Sequence, residues 1–222
     1  KQAAQLGFYS NAVQNPLQKR LAQELGKVCG YPEYNLFLCN SGAEANENAL
    51  KVASFHTGRK KILALEKAFH GRTSGAVEAT DNPKIQAEFN RNGNVVFIPI
   101  NDLAAAEREL QKKEYAAIII EGIQGVAGIY TPEVSFLKGV RELCNATGTV
   151  LILDEIQCGM GRTGSMYAYE QYGVKPDIMT TAKALGCGVP VGAFAATDEG
   201  RHCFYGKRYC QRIPYGCNNN IT

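Results

Sequence analysis

The 222 residues carry a formal charge of +3 and are 45% hydrophobic and 20% charged, the balance of an ordinary globular chain long enough for one large domain or two small ones. So small a charge, with Lys and Arg scattered except in the stretch Arg201–Arg212, argues against nucleic acid or an anionic membrane as a partner. No apolar run approaches a membrane span, and the opening KQAAQLGFYS, without an initiator Met or a signal-peptide core, reads as the middle of something longer.

In chain order, NPLQKRLAQELGKV predicts a helix with Asn15 as its cap, Pro16 at the first helical position, and Leu17, Leu21, Leu25 and Val28 on one face. YNLFLCN predicts a short buried strand. SGAEANENALKVASFHTG predicts a second helix, with Ala45, Ala49, Val52 and Ala53 inward and Gly58 as its stop. KKILAL and NVVFIPI are strand-like, DLAAAERELQKK is a helix capped by Asp102, and YAAIII is another buried strand. PEVSFLKGVRELCNATG predicts a helix from Pro132 to the Gly148 turn, followed by the strands VLIL, DIMTTA and VGAFAAT. Continuous apolar strands between amphipathic helices predict an α/β fold, a mostly parallel sheet with helices on both faces. There is no internal repeat and no low-complexity linker.

The eight cysteines are irregularly spaced without a C-x-x-C, which suits buried free thiols in a reducing cytoplasm better than a disulfide framework. Only His202 lies near the late cysteines, too little to suggest zinc.

In such sheets ligands bind beyond the carboxyl ends of the strands. Ser41-Gly42, Asp154 and Lys183 each follow a different strand, so the unusual residues gather at one edge. In NSGAEANE, Ser41 and Glu44 form a capping box; the same turn also offers the N–H groups of Gly42 and Ala43 to a phosphate at the positive helix end. In KAFHGRT, Phe69 is either core or a platform for a flat ring, and His70 reads as a satisfied buried histidine. Arg72 is either a surface ion pair or a planar clamp for a carboxylate. In TTAKALGCGVP, Lys183 either snorkels to water or is kept partly desolvated as a nucleophilic amine toward an aldehyde. LILDEIQ delivers Asp154 and Glu155 at the end of an apolar strand, where a carboxylate needs a positive partner. A protonated pyridine nitrogen is such a partner. Aspartate at the ring nitrogen and lysine at the ring aldehyde are the two fixtures of pyridoxal phosphate enzymes.

Taken together, NSGAEANENALK, KAFHGRTSGAVEAT, IIIEGIQGVAGI, LILDEIQCGMGRTG and PDIMTTAKALGCGVPVGA resemble the class III pyridoxal-phosphate aminotransferases of fold type I, most of all those acting on acetylornithine or succinylornithine. The resemblance runs from about Leu6 to about Thr197. It implies that Lys183 attaches the cofactor and moves the substrate proton, and that Asp154 holds the pyridine nitrogen. It implies further that Gln157 lies near the phenolic oxygen, Gly42 and Ala43 hold the phosphate, Phe69 covers the ring and Arg72 binds a substrate carboxylate. Glu121 would support Asp154 from behind, and Glu155 is structural. The implied activity moves the terminal amino group of an N-acylated ornithine to 2-oxoglutarate in arginine biosynthesis. The implied assembly is a cytoplasmic homodimer with active sites at the subunit interface. Ornithine and 4-aminobutyrate aminotransferases are the neighbouring activities, and a truncated, inactive cofactor-binding core is the alternative.

The pattern departs in places. Val126 stands where the family has an acid that neutralises an arginine, and Gly122 where it has a proline. Residues 1–30 are expected to be the N-terminal helical segment of a truncated family chain, 31–199 the cofactor-binding large domain, and 200–222 a divergent tail. In that tail Tyr215-Gly216-Cys217-Asn218 faintly echoes a phosphate-reaching loop of the family, with Pro214 where Ser or Thr is expected.

Overall fold

The computed structural model describes residues 4, 15–30 and 35–197. Both expected segment boundaries touch residues outside that set. Tyr215–Asn218 and the late cysteines lie outside it as well.

Seven strands form one sheet: β1 (Asn35–Cys39), β2 (Lys61–Leu65), β3 (Val95–Ile98), β4 (Tyr115–Glu121), β5 (Val150–Asp154), β6 (Ile178–Thr181) and β7 (Gly192–Ala196), in the spatial order β1-β7-β6-β5-β4-β2-β3. From β6 to β3 every pairing is parallel, and β7 is antiparallel to both its neighbours. The helices are α1 (Pro16–Val28), α2 (Gly42–Thr57), α3 (Ser74–Glu78), α4 (Leu103–Leu110), α5 (Val134–Thr147) and α6 (Tyr169–Tyr172).

Alternation along the strands divides the core in two. Ile62, Ala64, Ala117, Ile119, Ile152 and Ile178 face Ala49, Leu50, Val52 and Ala53 of α2. Leu63, Leu65, Ile118, Ile120, Leu151 and Leu153 face the other way, toward Ala106 and Leu110 of α4 and Leu137, Val140 and Cys144 of α5. Both faces of the central strands are therefore covered, which is why β4 is buried along its whole length and reads as unbroken apolar sequence. Each such Ile or Leu contributes about 1.5–3 kcal/mol of burial free energy.

The caps are local and fall where the sequence predicts. Asn15 Oδ1 accepts from Leu17 N, Asp102 Oδ1 from Ala105 N, and Gly58 and Gly148 close α2 and α5 in the left-handed conformation. Three expectations need correction. Helix α5 begins at Val134 rather than Pro132: Glu133 N donates to Asn101 Oδ1 at 2.8 Å, which holds the chain extended before the first turn. β1 is half-buried rather than buried because it is an edge strand. The apolar face of α1 is only partly covered, with Leu17 and Val28 each 48% exposed. Among the described residues no helix is long and apolar enough to cross a membrane.

The pairing of Cys39 with Gly192 brings β7 against the turn that opens α2. A Cβ on Gly192 would lie 2.2 Å from the Ser41 carbonyl oxygen, a backbone atom with nowhere to go. Gly192→Ala is therefore expected to lower stability by about 1–3 kcal/mol or more, read as a reduced urea midpoint with an unchanged m-value.

Candidate active site

The carboxyl ends of β4, β5 and β6 place Glu121, Asp154 and Thr180 in one row, each paired with the next across the sheet. Above this edge lies a cavity of about 550 Å³. Its walls include Gly42 and Ala43 from the start of α2, Phe69 and Arg72 from the loop after β2, Asp154 and Gln157 after β5, and Lys183 after β6. Every residue singled out as a site candidate thus meets in one place. A second cavity, of about 230 Å³ beside Val150 and Asp177 at the opposite strand ends, contains none of them.

At the α2 end, Ser41 Oγ accepts from Glu44 N at 3.2 Å, and Glu44 Oε2 accepts from Asn40 N at 2.6 Å. The box therefore reaches one residue further back than a standard capping box. Helix geometry leaves the Gly42 and Ala43 N–H groups without an acceptor inside the helix. Close packing shapes this corner: a Cβ on Gly42 would come within 2.7 Å of Ile156 Cδ1, and one on Gly71, at φ +137°, within 2.6 Å of Ala43 Cβ.

The loop carrying Phe69 and Arg72 is held from three sides. Phe69 N donates to Glu121 Oε1 at 2.9 Å, and His70 N to Thr80 Oγ1 at 2.9 Å. Glu47 on α2 accepts from Thr73 Oγ1, Gly75 N and Ala76 N at 2.7, 2.8 and 3.0 Å. Arg72 is exposed at the cavity and has no carboxylate within salt-bridge distance among the described residues, so the surface ion pair is not formed.

The two acids of LILDEIQ separate completely. Asp154, 4% exposed, accepts from Asn46 Nδ2 at 2.7 Å and from Ile156 N at 3.0 Å, and its Oδ2 lies 2.8 Å from His70 Nδ1. His70 Nε2 is buried and has no hydrogen-bond partner among the described residues. Glu155, 1% exposed, turns away into the core, where it accepts from Ala168 N and Tyr169 N, both at 2.9 Å, and from the Cys158 thiol at 3.1 Å. It acts as a cap on the turn into α6. Burial raises the pKa of Glu155, and burial likewise raises that of Glu121, the latter opposed by His70.

Lys183 sits in the left-handed region, φ +48°, directly after β6. Partial burial lowers the pKa of its amine, while Asp154 and Glu121 pull it back up. Sequence reasoning missed Asn46, Thr180 and Glu47. The signal for Asn46 was present: it is a polar residue on the same helix face as Ala49 and Ala53.

The model of the class-III aminotransferase family matches residues 1–208. The chain belongs to the class-III aminotransferases. Among curated relatives, the acetylornithine aminotransferase of Bacillus cereus is 45% identical over 193 residues, covering 86% of this chain and 49% of the relative. That of Methanocaldococcus jannaschii is 45% identical over 206 residues, covering 90% and 51%. This class-III chain therefore spans about half the length of the curated relatives it matches. Among solved structures, taurine:2-oxoglutarate aminotransferase from Bifidobacterium kashiwanohense, in complex with PLP and glutamate, superposes with TM-score 0.84 at 30% identity, over 98% of this chain and 53% of the other. The ornithine aminotransferase of Toxoplasma gondii gives TM-score 0.85 at 28% identity over 97% and 52%.

Proposed function

We propose that this chain carries the pyridoxal phosphate site of an aminotransferase that moves the terminal amino group of an N-acylated ornithine to 2-oxoglutarate, in arginine biosynthesis. One observation carries the reading: a buried, fixed carboxylate, Asp154, and a partly desolvated amine, Lys183, share one cavity whose far wall is the start of a long helix. The donor set fits the cofactor at each end. Gly42 and Ala43 N–H groups suit its phosphate, and Phe69 suits the flat ring. Asp154 suits the protonated ring nitrogen, Gln157 the phenolic oxygen, and Lys183 the aldehyde.

When bound, pyridoxal phosphate supplies the electron sink that stabilises negative charge on the substrate carbon as its proton leaves. The protein's share is positioning and proton transfer. Asp154, held by its three partners, keeps a negative charge where a protonated nitrogen is required. Lys183 Nζ would take the proton from the substrate carbon and return it to the cofactor carbon two atoms away, across the nitrogen that joins them, and its lowered pKa keeps more free amine available at neutral pH. Arg72, with no carboxylate partner among the described residues, orients a substrate carboxylate. Glu121 fixes the backbone of Phe69.

The donor is supported by 45% identity to the acetylornithine aminotransferases of two different organisms. Ornithine itself is the second reading, favoured by the likeness to an ornithine aminotransferase structure. We assign residues 31–199 to the cofactor-binding large domain. A homodimer is supported by large apolar side chains left on the surface, Phe55, Phe89 and Ile129 among them. A cytoplasmic setting is supported by the free thiols of Cys144 and Cys158 inside the core.

The test supplies pyridoxal phosphate and 2-oxoglutarate with a panel of donors and measures glutamate formed. N-acetyl- or N-succinylornithine is expected to exceed ornithine and 4-aminobutyrate by at least roughly tenfold in kcat/KM. Turnover with ornithine but with no acylated form would select the second reading. Cofactor absorbance without turnover on any donor would leave a cofactor-holding core.

A further inference from the structure

We propose that Asn46 is a positioning residue: its single buried amide joins four of the segments that line the cavity and keeps Asp154 aimed. The proposal rests on the pyridoxal phosphate reading above and goes beyond it by assigning work to a residue that touches neither ring nor substrate.

Asn46 is fully buried, one helical turn after Gly42 on α2. Its Nδ2 donates to Asp154 Oδ2 and to the His70 carbonyl oxygen, both at 2.7 Å, and its Oδ1 accepts from Thr180 Oγ1 at 2.7 Å. The amide therefore ties the phosphate-facing helix to the end of β5, to the loop of Phe69 and Arg72, and to β6 just before Lys183. Its orientation is not arbitrary. Flipped, Oδ1 would face a carboxylate and a carbonyl oxygen at once, and two buried acceptors would oppose it. Thr180 locks the productive orientation by donating to the one atom that can only accept.

The chemistry follows from the donors. A carboxylate that receives hydrogen bonds is favoured in its charged form, and each such bond removed moves its protonation to higher pH. The titratable or charged groups facing Asp154 are His70 from the loop, Glu121 from β4, the adjoining Glu155, the Cys158 thiol and Lys183. None of these groups is itself replaced when Asn46 or Thr180 is changed. A difference between variant and parent therefore isolates the amide.

The experiment uses the full chain and follows pyridoxal phosphate binding by visible absorbance between pH 5 and 8, without turnover. Asn46→Leu, of nearly the same volume, is expected to move the pH at which affinity falls upward by roughly one to two units, the equivalent of one hydrogen bond to a charged group. Thr180→Val, nearly isosteric and able to fold if Asn46→Leu is not, should move it in the same direction by less. The double variant should match Asn46→Leu alone, because Thr180 acts through the amide. Midpoints unchanged from the parent, or an equal loss of affinity at every pH, would overturn the assignment and leave Asn46 as packing only. A parent chain that fails to bind pyridoxal phosphate would instead sink the cofactor reading itself.

Discussion

Lys183→Ala is expected to abolish transamination, a loss of at least roughly 10⁴-fold, the upper end of what a positioned acid-base group supplies. No other amine can take over, because among the described residues Lys183 is the only lysine lining the cavity. Two signatures separate this from mere damage. Added pyridoxal phosphate should bind without producing the absorbance of a lysine-attached cofactor, since the attaching amine is gone. The urea midpoint should hardly move, because Lys183 is only partly buried and makes no ion pair among the described residues. In the parent chain, the rate of cofactor attachment should rise with pH and reach half its maximum below 10.5, because partial burial has already lowered the amine's pKa from that value. Near-normal turnover in Lys183→Ala would remove that lysine from the mechanism.

What the sequence disclosed and what it withheld divide along the range of the interaction. The caps at Asn15, Ser41 and Asp102 and the stops at Gly58 and Gly148 depend on neighbours a few residues away, and all were legible. The β4 and β5 cores were legible because burial on both faces leaves no polar alternation to confuse the reading. α3 and α6 were not, since Ser74–Glu78 and Tyr169–Tyr172 are too short to show a helical period. The extended start of α5 was hidden too, because Asn101, in the turn before α4, reaches Glu133 from 32 residues away in sequence. In the site, each candidate carried an unusual residue at a strand end, so its place at the cavity could be foreseen. The partner of Asp154 could only half be foreseen. The acid was expected to need a cation, yet its standing partners are an amide and an imidazole 108 and 84 residues away in sequence. The partners were illegible because Asn46 resembles a tolerated helix residue and His70 a satisfied core histidine until the fold brings them together. Glu155 shows the same limit: beside Asp154 in the chain, it points to the opposite side of the sheet edge and serves backbone N–H groups.

Asp154→Asn should lower turnover by roughly 10²–10³-fold or more, the scale seen when one preorganised electrostatic contact is removed. Cofactor affinity should fall by no more than about tenfold to a hundredfold, the loss of one charge-assisted hydrogen bond. The asymmetry is the point of the test. An amide at position 154 can still accept from Asn46 and His70 through its carbonyl oxygen, so the corner keeps most of its geometry. Its amino group then meets the Ile156 N–H, which loses its acceptor, a cost of about 1–3 kcal/mol to stability that a denaturation curve would read. What the amide cannot do is favour a proton on a pyridine nitrogen, because it carries no charge. If that charge is the essential contribution, a cofactor analogue whose ring nitrogen bears a permanent positive charge should restore much of the turnover in Asp154→Asn while doing little for the parent chain. Equal losses of affinity and turnover, with no recovery by the charged analogue, would show that Asp154 serves as a mechanical peg, and the electrostatic account of the site would have to be given up.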